Sequence, residues 1–264
     1  MIGIFDSGIG GLTVVRAVLE KLPEYRIVYF GDTARSPYGP KSPKTIIEYA
    51  RENTEFLLAQ GAKIIVVACN SASSVAFESL KDRFSVPIFE VIHPAVKKTL
   101  EVTRKERIGV IGTRATVGSG IYERLLKEAR PDIEVFSEAC PLLVPLVEEG
   151  WLKRPETKRI VRKYLFSLKM KQVDTLVLGC THYPLLKPII AAKMGKRVRV
   201  IDSSQEAALW VKDFLERNPE ISSGLSRASV EDGHRFFVSD LTPNFERIAK
   251  EFLGRPITLE LAKR

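Results

Sequence analysis

The sequence predicts an α/β protein made of two similar α/β domains, each with a mostly parallel sheet, related by a pseudo-twofold axis. Three observations support this fold class. Short apolar runs rich in β-branched residues alternate with longer helical patterns along the 264 residues, as they do where helices connect buried parallel strands. Two strand-turn-helix units recur later in the chain. The length also suits two domains, because domains cluster near roughly 100–150 residues.

Nine segments are predicted to be strands, because each is an apolar, β-rich run followed by turn or helical residues. They are residues 2–5, 26–30, 63–68, 87–91, 107–111, 133–137, 174–179, 198–201 and 234–238. Six segments with apolar residues at i, i+3 and i+4 spacing are predicted to be helices. They are residues 12–22, 44–60, 115–129, 156–170, 204–217 and 244–253.

Two repeated segments define the predicted domains. Residues 2–10 (IGIFDSGIG) are echoed by residues 108–116 (IGVIGTRAT), an offset of 106. Residues 64–73 (IIVVACNSAS) are echoed by residues 175–184 (TLVLGCTHYP), an offset of 111. The C-terminal part of the chain has no counterpart in the second copy, so we expect it to return to the first. The predicted domains are residues 1–92 plus 205–264, and residues 93–204.

The composition is that of an ordinary globular protein, with 45% hydrophobic and 28% charged residues. The N-terminus has no signal-peptide pattern, and the longest apolar stretch is far below the roughly 18 residues of a membrane span. The net charge of +9 is compatible with nucleic-acid binding, but no nucleic-acid-binding motif accompanies it. We therefore expect a soluble, cytoplasmic protein that requires neither a membrane nor nucleic acid.

The three cysteines, Cys69, Cys140 and Cys180, are too few for a disulfide framework, and no spacing indicates zinc. A buried structural thiol is the commoner role for a cysteine, and Cys140 is predicted to be one. Cys69 and Cys180, however, follow equivalent strands of the two repeats. Ligands of open α/β sheets bind beyond the carboxyl ends of the strands, so we expect these two thiols on opposite walls of one interdomain cleft, the active site.

Two thiols on opposite walls suit a reaction that inverts a stereocentre. One base must remove the proton and an acid on the other face must return one. A thiolate forms near neutral pH beside a helix N-terminus or an imidazolium, and a helix start is predicted after each cysteine. Asp6 and His182 are the predicted polar partners. A helix N-cap and a histidine bonded to the backbone are their alternative roles.

Six segments of the sequence resemble the glutamate racemase family. They are residues 5–14 (FDSGIGGLTV), 31–39 (GDTARSPYG), 66–73 (VVACNSAS), 112–117 (GTRATV), 140–150 (CPLLVPLVEEG) and 178–186 (LGCTHYPLL). The resemblance implies inversion of free glutamate by a two-base route, with no metal and no pyridoxal phosphate. It also implies that the product, D-glutamate, feeds bacterial peptidoglycan synthesis. We expect a homodimer.

The resemblance further implies roles for individual residues. Cys69 and Cys180 match the paired acid/base thiols, with Cys180 deprotonating L-glutamate and Cys69 deprotonating D-glutamate, and Asp6 and His182 match their assistants. The residues that match substrate-binding positions are Asp6, Ser7, Tyr38, Gly39, Asn70, Ser71, Thr113, Thr116, Glu148, Thr181 and His182. Hydroxyls and main-chain N–H groups suit this role, because they bind carboxylates without a fixed cation.

Two alternatives stay open at this point. One is another two-cysteine enzyme of the same superfamily, such as an aspartate racemase, a maleate isomerase or a hydantoin racemase. Aspartate racemases typically carry an acidic residue where His182 stands. The other alternative is a non-catalytic module that binds an amino acid or nucleic acid, and the presence of both thiols argues against it. The DSGIGG turn at residues 6–11 resembles a phosphate-binding loop but lacks the G-x-G-x-x-G spacing.

Overall fold

The computed structural model describes residues 1–225 and 233–263, which form two parallel sheets flanked by helices. The strands are β1 (Ile2–Asp6), β2 (Ile27–Gly31), β3 (Ile64–Val67), β4 (Ile88–Glu90), β5 (Arg107–Gly112), β6 (Glu134–Ala139), β7 (Thr175–Gly179), β8 (Arg199–Asp202), β9 (Arg235–Val238) and β10 (Glu260–Leu261). The larger sheet has the order β10-β9-β2-β1-β3-β4 and the smaller one β6-β5-β7-β8.

Every strand pair in both sheets is parallel, which confirms the predicted fold class. The sequence repeat has a direct counterpart, since β2-β1-β3-β4 and β6-β5-β7-β8 are the same order of equivalent strands. Each of the nine predicted strands is present, and β10 was not predicted. Strand β9 pairs with β2, so the C-terminal part of the chain returns to the first sheet. The boundaries near residues 92 and 205 remain a prediction, and residues 226–232 and 264 lie outside the described residues.

The helices lie between the strands along the chain. They are α1 (Leu12–Lys21), α2 (Pro43–Ala59), α3 (Asn70–Arg83), α4 (Ile92–Val102), α5 (Arg114–Gly118), α6 (Ile121–Ala129), α7 (Leu143–Glu148), α8 (Pro155–Met170), α9 (Lys187–Met194), α10 (Ser203–Arg217), α11 (Pro219–Ser223) and α12 (Pro243–Leu253). No helix among the described residues combines the length and apolar character needed to cross a bilayer.

The helix predicted over residues 115–129 was wrong in its continuity. The structure has two helices there, α5 and α6, separated at Gly120, whose φ of 65° is left-handed. A left-handed residue ends a helix, and glycine adopts that conformation without steric cost. Helices α4, α7, α9 and α11 were not predicted, and each carries a proline within its first three residues. Proline is compatible with a first turn, where its missing N–H would have no intrahelical partner.

Two apolar clusters surround the larger sheet, because alternate residues of a strand face opposite sides. Ile4 and Tyr29 belong to a cluster that continues into the smaller sheet through Ile108 and Leu176. Their neighbours on the other side, such as Phe5, belong to a second cluster beneath α2 and α3. The chain passes from the first sheet to the second through α4 and leaves it through α10, and these two helices pack on each other.

Equivalent glycines of the two repeats test how tightly the sheets are packed. A Cβ at Gly3 in β1 would lie 2.7 Å from the Cβ of Ala62, an atom fixed to the backbone. A Cβ at Gly109 in β5 would meet Cδ1 of Leu176 at 3.0 Å, the end of a flexible side chain. We expect Gly3→Ala to lower the free energy of unfolding by about 2–3 kcal/mol, because overpacking there must move the backbone.

Gly109→Ala is the matched comparison, and we expect it to cost less than about 1 kcal/mol, because a leucine tip can shift by a few tenths of an ångström. Urea unfolding of both variants measures the difference. Both substitutions remove a strand glycine, so the chain-entropy effect of alanine cancels between them. Equal losses of stability would contradict this account of the packing.

Candidate active site

A cavity of about 350 Å³ is lined by segments that follow β1, β2, β3, β5, β6 and β7. Strands of both sheets therefore contribute their carboxyl ends to one site, as is general for ligand sites of open α/β sheets. The volume is at the lower end of the roughly 300–1,000 Å³ of small-molecule sites. Both Cys69 and Cys180 line this cavity, one from each repeat.

Cys69 is the N-cap residue of α3 and is 5% exposed. Burial, assisted by the charge of Asp6, raises the pKa of its thiol to about 12, although hydrogen bonds from Ser7 and the main chain of Ala72 act in the opposite direction. In the free protein, the lowering of the Cys69 pKa by the helix N-terminus is therefore smaller than the raising of that pKa by burial. Cys69 is a neutral thiol near pH 7, able to donate a proton.

Cys180 directly follows β7 and has a different partner. Its Sγ lies 3.8 Å from Nδ1 of His182, and Nε2 of the same imidazole lies 3.0 Å from Oε1 of Glu148. Beyond His182 the chain forms a short 3₁₀ turn that leads into α9, in place of an immediate α-helix. The imidazole thus joins the thiol to a carboxylate.

His182 is positively charged at neutral pH. Its burial lowers the pKa, but hydrogen bonds to Cys180 and Glu148, together with the charges of both groups, outweigh burial and raise the pKa of His182 to about 10. A protonated imidazole has two N–H donors, and here one faces the sulfur and the other faces the carboxylate. The expected alternative, a histidine bonded to the backbone, is not what the structure has.

Asp6 is fully buried at the end of β1. Its carboxylate accepts hydrogen bonds from the main chain of Gly8 at 3.0 Å and from Oγ1 of Thr181 at 3.4 Å. Burial raises the pKa of Asp6, while the charge of His182 and the loop N–H groups lower it. Helix α1 has Gly11 as its N-cap residue with no side-chain cap, so Asp6 organises the loop and does not cap the helix.

The glycines of the DSGIGG turn allow the two repeats to approach each other. A Cβ at Gly10 would lie 2.4 Å from the imidazole of His182 and 2.5 Å from Oγ1 of Thr181, and a Cβ at Gly11 would lie 2.4 Å from Cβ of Asp6. Such distances do not occur between real side-chain atoms. The turn is therefore a packing surface for residues 181 and 182. Its glycines are explained by this packing, so its resemblance to a phosphate-binding loop needs no phosphate.

A chain of hydroxyl groups connects α3 to α5 at the cavity. Oγ of Ser71 lies 2.8 Å from Oγ1 of Thr113, which lies 3.0 Å from Oγ1 of Thr116. Thr113 also caps α5 by accepting from the main chain of Thr116. Because a hydroxyl can rotate its proton toward a new acceptor, this chain can offer donors to a carboxylate.

Tyr38 lines the cavity, but its hydroxyl is already committed. It donates to the buried carboxylate of Asp32 and accepts from Nδ2 of Asn53 at 3.0 Å. Burial raises the pKa of Tyr38, with the charge of Asp32 acting in the same direction. The phenol keeps its proton and has none left for a ligand, so the neighbouring main chain and the ring remain for contact with a substrate.

The structure brings together all of the predicted site residues except Asp6 and Thr116. Those lining the cavity are Ser7, Tyr38, Gly39, Cys69, Asn70, Ser71, Thr113, Glu148, Cys180, Thr181 and His182. Asp6 and Thr116 lie behind it, hydrogen-bonded to Thr181 and Thr113. Cys140, predicted to be structural, is fully buried and does not line the cavity.

Sequence reasoning missed several lining residues, namely Ser36, Pro37, Pro40, Arg114, Pro141, Val144 and Pro145. Each lies within or directly beside a segment that carries a predicted site residue, so adjacency was the available signal. Arg114 is exposed at the cavity and has no ion pair within the part of the chain that the structure describes. The described residues contain no cluster of three or more His, Cys, Asp or Glu side chains that could hold a metal ion.

Known proteins have sequences and folds similar to those of this chain. A family model described as Asp/Glu/Hydantoin racemase matches residues 11–210. A glutamate racemase from Aquifex pyrophilus is 48% identical over 262 residues, which cover 99% of this chain and 97% of that protein. The match therefore includes both repeats and the C-terminal return to the first sheet.

Solved structures give the same result. Glutamate racemase isoform RacE1 from Bacillus anthracis has a TM-score of 0.93 at 37% identity, with 100% of this chain and 97% of that chain covered. Glutamate racemase from Francisella tularensis, solved in complex with D-glutamate, has a TM-score of 0.90 at 35% identity, with 99% and 97% covered. By sequence and by fold, this chain belongs to the Asp/Glu/Hydantoin racemase family of enzymes.

Proposed function

We propose that this protein is a glutamate racemase that interconverts L- and D-glutamate by moving the α-proton between Cys69 and Cys180. The observation that carries the proposal is the pair of buried thiols that line one cavity from equivalent positions of the two repeats. Full-length relatives named glutamate racemases support glutamate as the substrate, as does the relative solved with D-glutamate.

The donors around the cavity suit the two carboxylates of glutamate. The first turn of α3 has main-chain N–H groups without intrahelical partners, and helix N-termini attract anions. Ser71 and Thr113 add hydroxyl donors, and Arg114 adds a cation at the cavity wall. Donors on the α-carboxylate also stabilise the transition state, because that group receives the electron pair left on the α-carbon.

Proton transfer then needs one thiolate and one thiol. In the direction from L to D, the Cys180 thiolate takes the α-proton and the Cys69 thiol gives its proton to the opposite face. The product state has a Cys180 thiol and a Cys69 thiolate, so the reverse reaction starts with the roles exchanged. We assign assistance at Cys180 to His182, whose Nδ1 lies 3.8 Å from Sγ. We assign assistance at Cys69 to Ser7 and Asp6, which both affect the pKa of that thiol.

The proposal includes no metal and no organic cofactor, and the D-glutamate formed would supply peptidoglycan synthesis. The decisive experiment incubates the purified enzyme with L-glutamate in heavy water and follows optical rotation and α-deuterium together. We expect rotation to decay to zero with deuterium at the α-carbon of the newly formed D-glutamate, unchanged by chelator. Binding of glutamate with no exchange would indicate a binding module and contradict racemisation.

We expect kcat/KM for glutamate to exceed that for aspartate by at least tenfold. The shorter acid would leave buried donors for the distal carboxylate unpaired, and each unpaired donor costs roughly 1–3 kcal/mol. Racemisation of both amino acids under identical conditions measures the ratio. A ratio near one would favour the aspartate racemase alternative.

The two thiols are expected to be specific for one enantiomer each. Serine in place of either cysteine is far too weak a base at neutral pH, so racemisation should fall by at least about a thousandfold in Cys69→Ser and in Cys180→Ser. Each variant should still eliminate a leaving group from the β-carbon of a glutamate analogue, because elimination needs only the deprotonating thiolate. Cys69→Ser should act on the L analogue and Cys180→Ser on the D analogue.

Each variant serves as the control for the other, because both are tested on both enantiomers of the analogue. Swapped preferences would reverse the assignment of the thiols to the enantiomers. Equal activity of both variants on both enantiomers would contradict a mechanism with one thiol on each face.

Glu148 is expected to stabilise the fold in a pH-dependent way through His182. The pKa of His182 is raised from 6.5 to about 10, so the stabilisation is complete below about pH 6.5 and is lost as the pH rises to about 10. Glu148→Gln removes the charge that helps to raise this pKa. Unfolding should therefore become easier by on the order of 1 kcal/mol at pH 6, a modest value because Glu148 is partly exposed and water screens the pair.

At pH 10 the same substitution should have little effect. Glu149→Gln is the control. Glu149 is the exposed neighbour of Glu148 in the chain, and its replacement by glutamine removes the same charge. Urea unfolding of the wild type and of both variants at both pH values measures the six free energies that the comparison needs. A loss of stability in Glu148→Gln that is equal at pH 6 and pH 10 would contradict the proposed coupling to His182.

A further inference from the structure

Asn70 is the residue after Cys69, and its side chain has partners from the other half of the molecule. It lines the cavity although it is only 2% exposed. The hydroxyl of Tyr122, on α6 beside the smaller sheet, donates to Oδ1 of Asn70 at 2.8 Å. Nδ2 of Asn70 reaches Oγ of Ser203 at 3.5 Å, and that hydroxyl donates to the main-chain oxygen of Leu178.

The contacts with Tyr122 and Ser203 together determine which way the Asn70 amide points. Burial raises the pKa of Tyr122, with the charges of Glu90 and Cys180 acting in the same direction, so the phenol keeps its proton. A protonated phenol can donate to an amide oxygen or accept from an amide NH₂ group, so the other end of the amide decides the direction. Ser203 donates its proton to the main-chain oxygen of Leu178, so its Oγ accepts from Nδ2 of Asn70. The amide oxygen therefore faces Tyr122, whose hydroxyl donates to it.

The NH₂ group has donor capacity to spare. An amide nitrogen carries two N–H donors, and the only hydrogen bond found for Nδ2 among the described residues is the one to Ser203, at the long limit for such a bond. The remaining N–H is available to an acceptor in the cavity. Glutamate brings two carboxylates, which are acceptors only.

We infer that Tyr122 is a positioning residue for glutamate binding: it orients the Asn70 amide so that the NH₂ group, and not the oxygen, is presented to a substrate carboxylate. This inference rests on the proposed function. Tyr122 itself does not line the cavity, so it acts through Asn70. Without the phenol, the amide can rotate by half a turn and present its oxygen to a carboxylate, which is repulsive.

Tyr122→Phe tests the inference with little change in shape. We expect KM for both enantiomers of glutamate to rise about tenfold, which corresponds to about 1.4 kcal/mol, with kcat changed less than about threefold. Tyr25→Phe is the matched control, because Tyr25 is also buried and its hydroxyl bonds a side chain, Ser222, at 2.6 Å. That control should lose similar stability and keep the wild-type KM.

A double-mutant cycle separates an effect through Asn70 from a general one. If Tyr122 acts by orienting the amide, Tyr122→Phe combined with Asn70→Ala should bind glutamate as weakly as Asn70→Ala alone, by calorimetry and by KM. The inference would be overturned if the increases in KM caused by the two substitutions multiplied in the double variant, or if Tyr122→Phe had the same KM as Tyr25→Phe. Racemisation by the wild type would leave the proposed function intact in either case. A wild-type protein that neither racemises nor binds glutamate would overturn both.

Discussion

The candidate active site depends on the close approach of the glycine turn after β1 to residues 181 and 182 after β7. Only a residue without a side chain fits at Gly10, where a Cβ would overlap the imidazole of His182 and the hydroxyl of Thr181. The approach lets Thr181 reach Asp6 across the two repeats. Because both repeats end their strands at this contact, it also brings the two thiols to one cavity. A larger side chain at Gly10 would push residues 181 and 182 away from the turn. It would separate Thr181 from Asp6 and Cys180 from Cys69.

Burial in this narrow site makes two equivalent residues chemically different. By the repeat, Cys69 and Cys180 occupy the same position after the same strand. The pKa of Cys69 is raised by burial and by Asp6, whereas Cys180 lies beside a histidine that is itself paired with Glu148. The two thiols therefore differ in their neighbours: a buried carboxylate raises the pKa of Cys69, and an imidazole lies beside Cys180.

Most contacts that join the two halves at the site are neutral hydrogen bonds. Ser71 bonds Thr113, Asn70 bonds Tyr122, and Thr13 donates to the main-chain oxygen of Thr181. Hydroxyl and amide groups in a buried site cost little to hold when each has a partner. Ser71, Asn70 and Thr113 also line the cavity, so their hydroxyl and amide groups can exchange a protein partner for a ligand.

The sequence by itself determined the fold class, the nine strands and the thiol pair, because hydrophobic periodicity, strand ends and repeats are local features that the chain carries in order. It missed α4, α7, α9 and α11, which are 5 to 11 residues long and have a proline in the first turn. It also missed the break at Gly120, where backbone geometry outweighs periodicity. Only the tertiary structure decided that Asp6 lies behind the cavity, that Tyr38 has no free proton, and that Tyr122 orients Asn70. Those facts depend on which polar groups meet when two separately patterned halves pack together, and periodicity within one segment contains no information about its partner.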